Sequence, residues 1–163
     1  MVRLVRLTTV EAPRLRAIRL RALLDAPDAF GATYEDAAAR CLDGWTSQLR
    51  ELPTFVAVSD GHDVGMVRFA PGGRADTAWL ISMWVAPEVR RMGVGGALVD
   101  AVIEHARGAG VVRLLLDVAD HNEAAVALYE RKGFVPNGEV GTLPPPREHI
   151  RERRLELPLV ISR

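Results

Sequence analysis

The segment from Val85 to Leu98 (Val-Ala-Pro-Glu-Val-Arg-Arg-Met-Gly-Val-Gly-Gly-Ala-Leu) limits the fold of this chain more than any other. A strand-like run ends at Val85, and Pro87 closes it because its ring removes a backbone donor. Three glycines, Gly93, Gly95 and Gly96, then open directly into a helical pattern. Val94, Ala97, Leu98, Ala101, Val102 and Ile103 mark one face of that helix, and Gly108 and Gly110 end it. Val111 to Val118 follows as an apolar run interrupted only by Arg113 and Asp117. Strand, loop, helix and apolar strand in that order predict a parallel pair, with the second strand buried on both faces.

The sequence before this unit reads differently. Val2 to Leu7 is a short strand, and Thr8 and Glu11 stand three apart, as in a capping box, before an apolar-periodic run ending near Leu24. A second helix is expected from near Tyr34 to Leu49. Phe55–Ser59 and Val64–Ala70 flank the turn-like Asp60-Gly61-His62-Asp63, predicting an antiparallel hairpin, and Ala75–Val85 adds a third strand after Pro71-Gly72-Gly73. Downstream, a short helix is expected over Asn122–Arg131, with Gly133 as its left-handed cap and Phe134 packing back. The tail runs through three prolines to the strand-like Leu155–Leu157. No internal repeat or linker divides the chain, so residues 1–163 are read as one domain.

Composition removes several classes of function. Lys+Arg and Asp+Glu are 21 each, so no net field draws the chain to nucleic acid. Cys41 is the only cysteine, which rules out an intrachain disulfide and points to a reducing cytoplasm; it is read as an inert helix residue. No uncharged apolar run approaches the ~20 residues of a membrane span. The chain is therefore expected to be neither exported nor inserted.

A Gly-rich turn at a helix start is suited to an anion, because the first-turn N–H groups have no internal partner and the helix dipole adds positive charge. Arg90 and Arg91 offer charge to the same anion. A Walker-type loop needs Lys and Ser or Thr after the last glycine, where this chain has Ala97 and Leu98. A dinucleotide fingerprint needs a third glycine where Leu98 stands. Arg90-Arg91-Met92-Gly93-Val94-Gly95 fits R-x-x-G-x-G and resembles the pyrophosphate-binding signature of the GNAT acetyltransferases. Asn122 to Phe134 resembles the N-x-x-A-x-x-L-Y-x-x-x-G-F pattern of the same family, in the right order. The resemblance is strong from Trp79 to Phe134, and Leu20–Tyr34 is similar to the N-terminal stretch of some members.

The resemblance implies an α/β (α+β mixed sheet) GNAT acyl-CoA N-acyltransferase fold. The central, mostly antiparallel sheet would carry a splayed parallel pair and flanking helices. It implies acetyl-CoA as cosubstrate, with no metal. Main-chain groups of Met83, Trp84 and Val85 would meet the pantetheine arm, and amides of Arg91, Met92, Gly93, Val94, Gly95, Gly96 and Ala97 the pyrophosphate. Arg90 or Arg91 would add charge, and Asn122 would contact the arm, cap its helix, or do both. Tyr129 would be the general acid for the departing thiolate, or else an aromatic on the buried stripe of its helix.

Many members carry a Glu on the strand that here runs Ala75–Val85, but this chain has only Asp76 and Ser82 there to serve as base or water relay. Glu35, His62 and Glu139 are further candidates. Phe30 and Tyr34 are the substrate-wall candidates, and Trp45 is read as core. The acceptor would be the amine of a small molecule or peptide, and exposed edge strands would allow a homodimer. The rival from another class is a non-catalytic acyl-CoA sensor that keeps the loop without the chemistry.

Overall fold

A computed structural model describes residues 1–159 of the chain. Seven strands form one sheet in the order β1-β2-β3-β4-β5-β7-β6. They are β1 (Val2–Arg6), β2 (Thr54–Ser59), β3 (His62–Pro71), β4 (Thr77–Val85), β5 (Arg113–Ala119), β6 (Val135–Thr142) and β7 (Arg151–Pro158). The helices are α1 (Ala12–Asp25), α2 (Tyr34–Ala38), α3 (Leu42–Glu51), α4 (Val94–Gly108) and α5 (Glu123–Arg131). Every strand pair is antiparallel except β4–β5, which brackets the glycine loop and α4.

Local chemistry sets several boundaries. The Thr8 N–H donates to Glu11 Oε1 at 2.9 Å where the chain turns toward α1. The β2–β3 turn is only Asp60-Gly61, with φ of 50° and 78°; two positive φ values in succession suit the right-handed twist of a tight hairpin. Gly133, at φ 98°, takes the left-handed position after α5, and Phe134 folds back edge-on to Tyr129 at 5.8 Å.

The core lies on both faces of the sheet. α4 buries Leu98, Val99, Val102 and Ile103, and its His105 stands edge-on to Phe69 of β3 at 4.6 Å. Neighbouring residues on a strand face opposite ways. Arg68 accordingly points to the other side, where it donates to Gln48 of α3 at 2.6 Å. That second face is covered by α1, through Leu15, Ile18 and Leu23, and by α3, through Trp45 and Leu49. Each large apolar side chain fully buried in this way stabilises the fold by roughly 1.5–3 kcal/mol.

Two expectations need correction. The single helix expected over Tyr34–Leu49 is two helices, broken where Cys41 is extended at ψ 164°. Eight residues at about 100° each would turn Ala37 some 80° away from Trp45 on one helix, whereas the break lets both be buried. Cys41 is thus an exposed N-cap residue and not part of a helix interior. The edge strand β6 was not read from the sequence; all of its residues are exposed, so it carries no apolar alternation.

Candidate active site

The parallel pair separates along its length. β4 and β5 pair at Thr77–Arg113, Ala78–Leu114 and Trp79–Leu115, and there the pairing stops, although β4 runs on to Val85 and β5 to Ala119. The cause lies within β4. On its other edge Trp84 pairs with Met66 and Ile81 with Arg68, so Val67 alone faces Ser82 and Met83. This is a bulge with Ser82 in the left-handed region at φ 58°, and such an extra residue bends a strand away from its neighbour. Beyond the bulge the Ala86 N–H donates back to Val64 O at 2.8 Å. By strand alternation, the backbone groups of Met83 and Val85 therefore turn toward the gap.

The glycine loop closes the mouth of this gap. Arg91 and Gly93 adopt positive φ, 65° and 81°, and Gly93 is the N-cap of α4. Among the described residues, no backbone N–H from Arg91 through Gly96 donates to a backbone carbonyl. The Ala97 N–H closes on Gly93 O at 3.1 Å, so the expected run of free amides ends one residue earlier, at Gly96. Six unpaired donors at a helix N-terminus form an anion cradle. Gly95 is required by packing as well as by the loop: a Cβ there would come within 3.0 Å of Leu128 and 3.4 Å of Met83.

The two arginines separate in role. Arg90 Nη2 donates to Asp25 at 2.6 Å and its Nε to Val85 O at 3.0 Å. Asp25 also accepts from the buried Trp84 indole at 2.9 Å. Arg90 and Trp84 therefore anchor the loop to the end of α1, with the Arg90 charge paired to Asp25. Arg91 is exposed beside the cradle, and so is Met92. Lys132, which sequence reasoning passed over, packs its Nζ near Gly96 and pairs with Asp100 at 3.0 Å, adding a cation one turn into α4.

Asn122 caps α5 by accepting the Ala125 N–H at 3.3 Å, which leaves its amide donors for other partners. Tyr129 is only 5% exposed, and burial, with nothing offsetting it, pushes its phenol well above the usual tyrosine range. The hydroxyl is therefore fully protonated at neutral pH.

The candidate bases have different fates. Asp76 lies before β4 at the paired end, where its carbonyl accepts from Val112 N at 2.8 Å. Nine residues of extended chain, roughly 30 Å, separate it from Val85, so it does not join the site. Ser82 lies at the bulge, but its Oγ already accepts two N–H groups from Arg68, at 2.9 and 2.6 Å. Ser82 thus holds a cation and is poorly placed to accept a proton.

Glu152 of β7, which sequence reasoning missed, pairs in register with Ala119, close to Asn122 at the open end of β5. It lines a hollow of about 180 Å³ with Asp117 and Glu139. Burial first, then Asp117, raises its carboxyl pKa. Only its neighbours in space make it distinctive. Glu35 and Tyr34 line a separate cleft of about 390 Å³ between the α1–α2 segment and Arg147, whereas Phe30 is buried under Arg19, whose Cζ lies 4.5 Å above its ring. Trp45 is core, and His62 is exposed at the start of β3.

A family description fits this arrangement: the acetyltransferase (GNAT) family model matches residues 6–134. The chain belongs to the GNAT family. It is 33% identical over 139 residues to a mycothiol acetyltransferase of Thermobispora bispora, covering 80% of this chain and 46% of that protein. It is 42% identical over 59 residues to the ribosomal protein bS18-alanine N-acetyltransferase of Escherichia coli K12, covering 36% of this chain and 40% of that one. The GNAT chain thus spans less than half the length of either relative. Its fold is that of yncA of Salmonella typhimurium, solved with its cofactor acetyl-CoA, at a TM-score of 0.78 and 19% identity over 100% of this chain and 96% of that one.

Proposed function

We propose that the chain is an N-acetyltransferase that moves an acetyl group from acetyl-CoA directly to the primary amine of a small molecule or peptide, with both substrates bound at once. The observation that carries this reading is the row of unpaired amides from Arg91 to Gly96 at the mouth of the β4–β5 gap. A pyrophosphate matches those donors, with Arg91 adding charge, and the gap-facing backbone of Met83 matches an amide-bearing arm, the Val85 carbonyl being taken by Arg90. Acetyl-CoA, when bound, supplies the acetyl group as an activated thioester.

The chain's own residues then meet three demands. Glu152, with its raised pKa, accepts a proton from the incoming ammonium at its carboxylate. The Val85 N–H, turned to the gap, offers a donor to the acyl oxygen. Tyr129 holds a proton at its hydroxyl oxygen for the departing thiolate, which leaves as the thiol.

The test combines binding with turnover. Acetyl-CoA at about a hundred times its Kd should add ~2.7 kcal/mol of stability, and ATP and NAD should add none. Tyr129→Phe should keep that stabilisation and slow thiol release roughly 10²–10⁴-fold. Equal stabilisation by NAD would end the acyl-CoA reading. Binding without thiol release for any amine would leave a sensor.

A further inference from the structure

Two arginines are buried on the proposed acceptor side with no carboxylate paired to them among the described residues. Arg68 of β3 is 6% exposed, and its donors meet only neutral groups, Ser82 Oγ and Gln48 Oε1. Arg19 of α1 is 5% exposed, lies flat over Phe30, and has Nη1 buried without any hydrogen-bond partner among the described residues. Arg40 acts on both and Arg19 acts on Arg68, all of one sign; burial first, and then these cations, lowers Arg68 to about 9 and Arg19 to about 10. An uncompensated buried charge is costly, and two together are retained poorly unless something neutralises them.

Their position indicates what that something is. Arg68 grips Ser82, the bulge residue beside the gap-facing backbone of Met83. Arg19 lies one helical turn before Leu23, which lines the open cleft of about 390 Å³ beside Tyr34. The cations therefore lie buried between the α1 segment that lines this cleft and the bulge of β4, without themselves lining the cleft. On the same sheet face, across β4, lies the Glu152 carboxylate, beside an Asp117 that is itself paired with Arg154 at 2.9 Å. Positive charge on one side and negative on the other suits a molecule that carries both an anion and an amine.

We propose that Arg19 and Arg68 bind the carboxylate of the acceptor, so that the acceptor is an aminocarboxylate such as a free amino acid. This rests on the acetyltransferase reading and narrows its acceptor. A carboxylate offers two oxygens to the planar guanidinium donors and removes the like-charge repulsion at the same time.

The experiment uses the full chain and matched acceptors: the common L-amino acids and their uncharged α-carboxamides, assayed by thiol release from acetyl-CoA. The acid of the preferred pair should exceed its amide on the order of 10²-fold in kcat/KM, the size of one charge-assisted contact. Arg19→Met and Arg68→Met should each erase most of that preference. Arg19→Met should fold as wild type, because it replaces a buried cation lacking a partner at Nη1 with an apolar chain of similar length, whereas Arg68→Met also orphans Ser82 and Gln48 and should fold with a lower Tm. If one fails to fold, the other carries the test.

In a second arm, sodium acetate is titrated against sodium chloride at equal ionic strength. It should raise the wild-type Tm saturably and leave the variants unmoved. Amides used as well as acids, or no acid preferred over its amide, overturns the proposal. Saturable acetate binding with no acid preference would assign the site to a free anion and also overturns it. Failure of acetyl-CoA itself to stabilise the protein sinks the acetyltransferase reading instead, and the two failures are thereby distinguished.

Discussion

Replacing Asp25 with alanine removes one acceptor that holds two donors, and the structure sets the size of the effect. The Trp84 indole is buried, so losing its partner at 2.9 Å costs about 1–3 kcal/mol. The Arg90 side chain is 49% exposed, and screening by solvent holds the ion pair at 2.6 Å to at most ~1 kcal/mol. Together these give about 1–4 kcal/mol, or a Tm lower by about 2–16 °C for a chain of this size. Asp25→Asn keeps a carbonyl oxygen for the indole and should lose only the smaller part.

The pH dependence of the same contact has a definite sign. The Trp84 hydrogen bond, helped by Arg90 and opposed by burial, holds the Asp25 carboxyl below its ordinary value. A depressed folded pKa stabilises the fold above the unfolded aspartate range, near pH 4, and that stability is lost as pH falls through the folded value. Calorimetry of wild type and both variants from pH 7 to pH 2 should show the Asp25→Asn difference narrowing in acid. Equal losses for the two variants, or a difference that stays constant with pH, would refute this account of the loop anchor.

Other perturbations test separate parts of the site. Glu152→Gln should flatten the acidic limb of the pH–rate profile, since that limb reports protonation of the base. Because the folded pKa of Glu152 is raised, the same variant should be slightly more stable than wild type at neutral pH, with the gain vanishing as both states protonate in acid. Gly93→Ala has open space for its Cβ but must hold φ 81°, so chemical denaturation should show a loss of about 1 kcal/mol. Gly95→Ala pushes against Leu128 and Met83 across the gap, and isothermal titration should find weaker acetyl-CoA binding with a smaller change in stability.

What the sequence revealed and what it hid divide along sequence separation. The α4 boundaries, the parallel pair, the Gly133 cap and the Asn122 cap are local patterns of glycine spacing and apolar period, and all were legible. The bulge at Ser82 was not, because an extra residue in a strand leaves no mark on composition. Arg90 read as a phosphate ligand because its partner Asp25 lies 65 residues away. Glu152 escaped notice for the same reason, since its significance comes from burial beside Asp117 on another strand. The buried Arg19 and Arg68 resemble ordinary surface arginines in sequence, and only packing shows that they lack a counter-charge.

Arg147, which borders the cleft beside Tyr34, carries a consequence for the order in which the molecule is made. Its guanidinium donates to the carbonyls of Pro27, Phe30 and Gly31, fastening the β6–β7 connection over the α1–α2 segment across 116 to 120 residues. At about 5–20 residues per second on the ribosome, residues 27–31 wait roughly 6–24 s for that clasp. The proposed donor end, assembled from β4, the glycine loop, α4, β5 and α5, has all its residues in the chain before Arg147 is added. During synthesis, therefore, the half of the molecule that would hold the common donor can form while the cleft beneath Arg147 is still open.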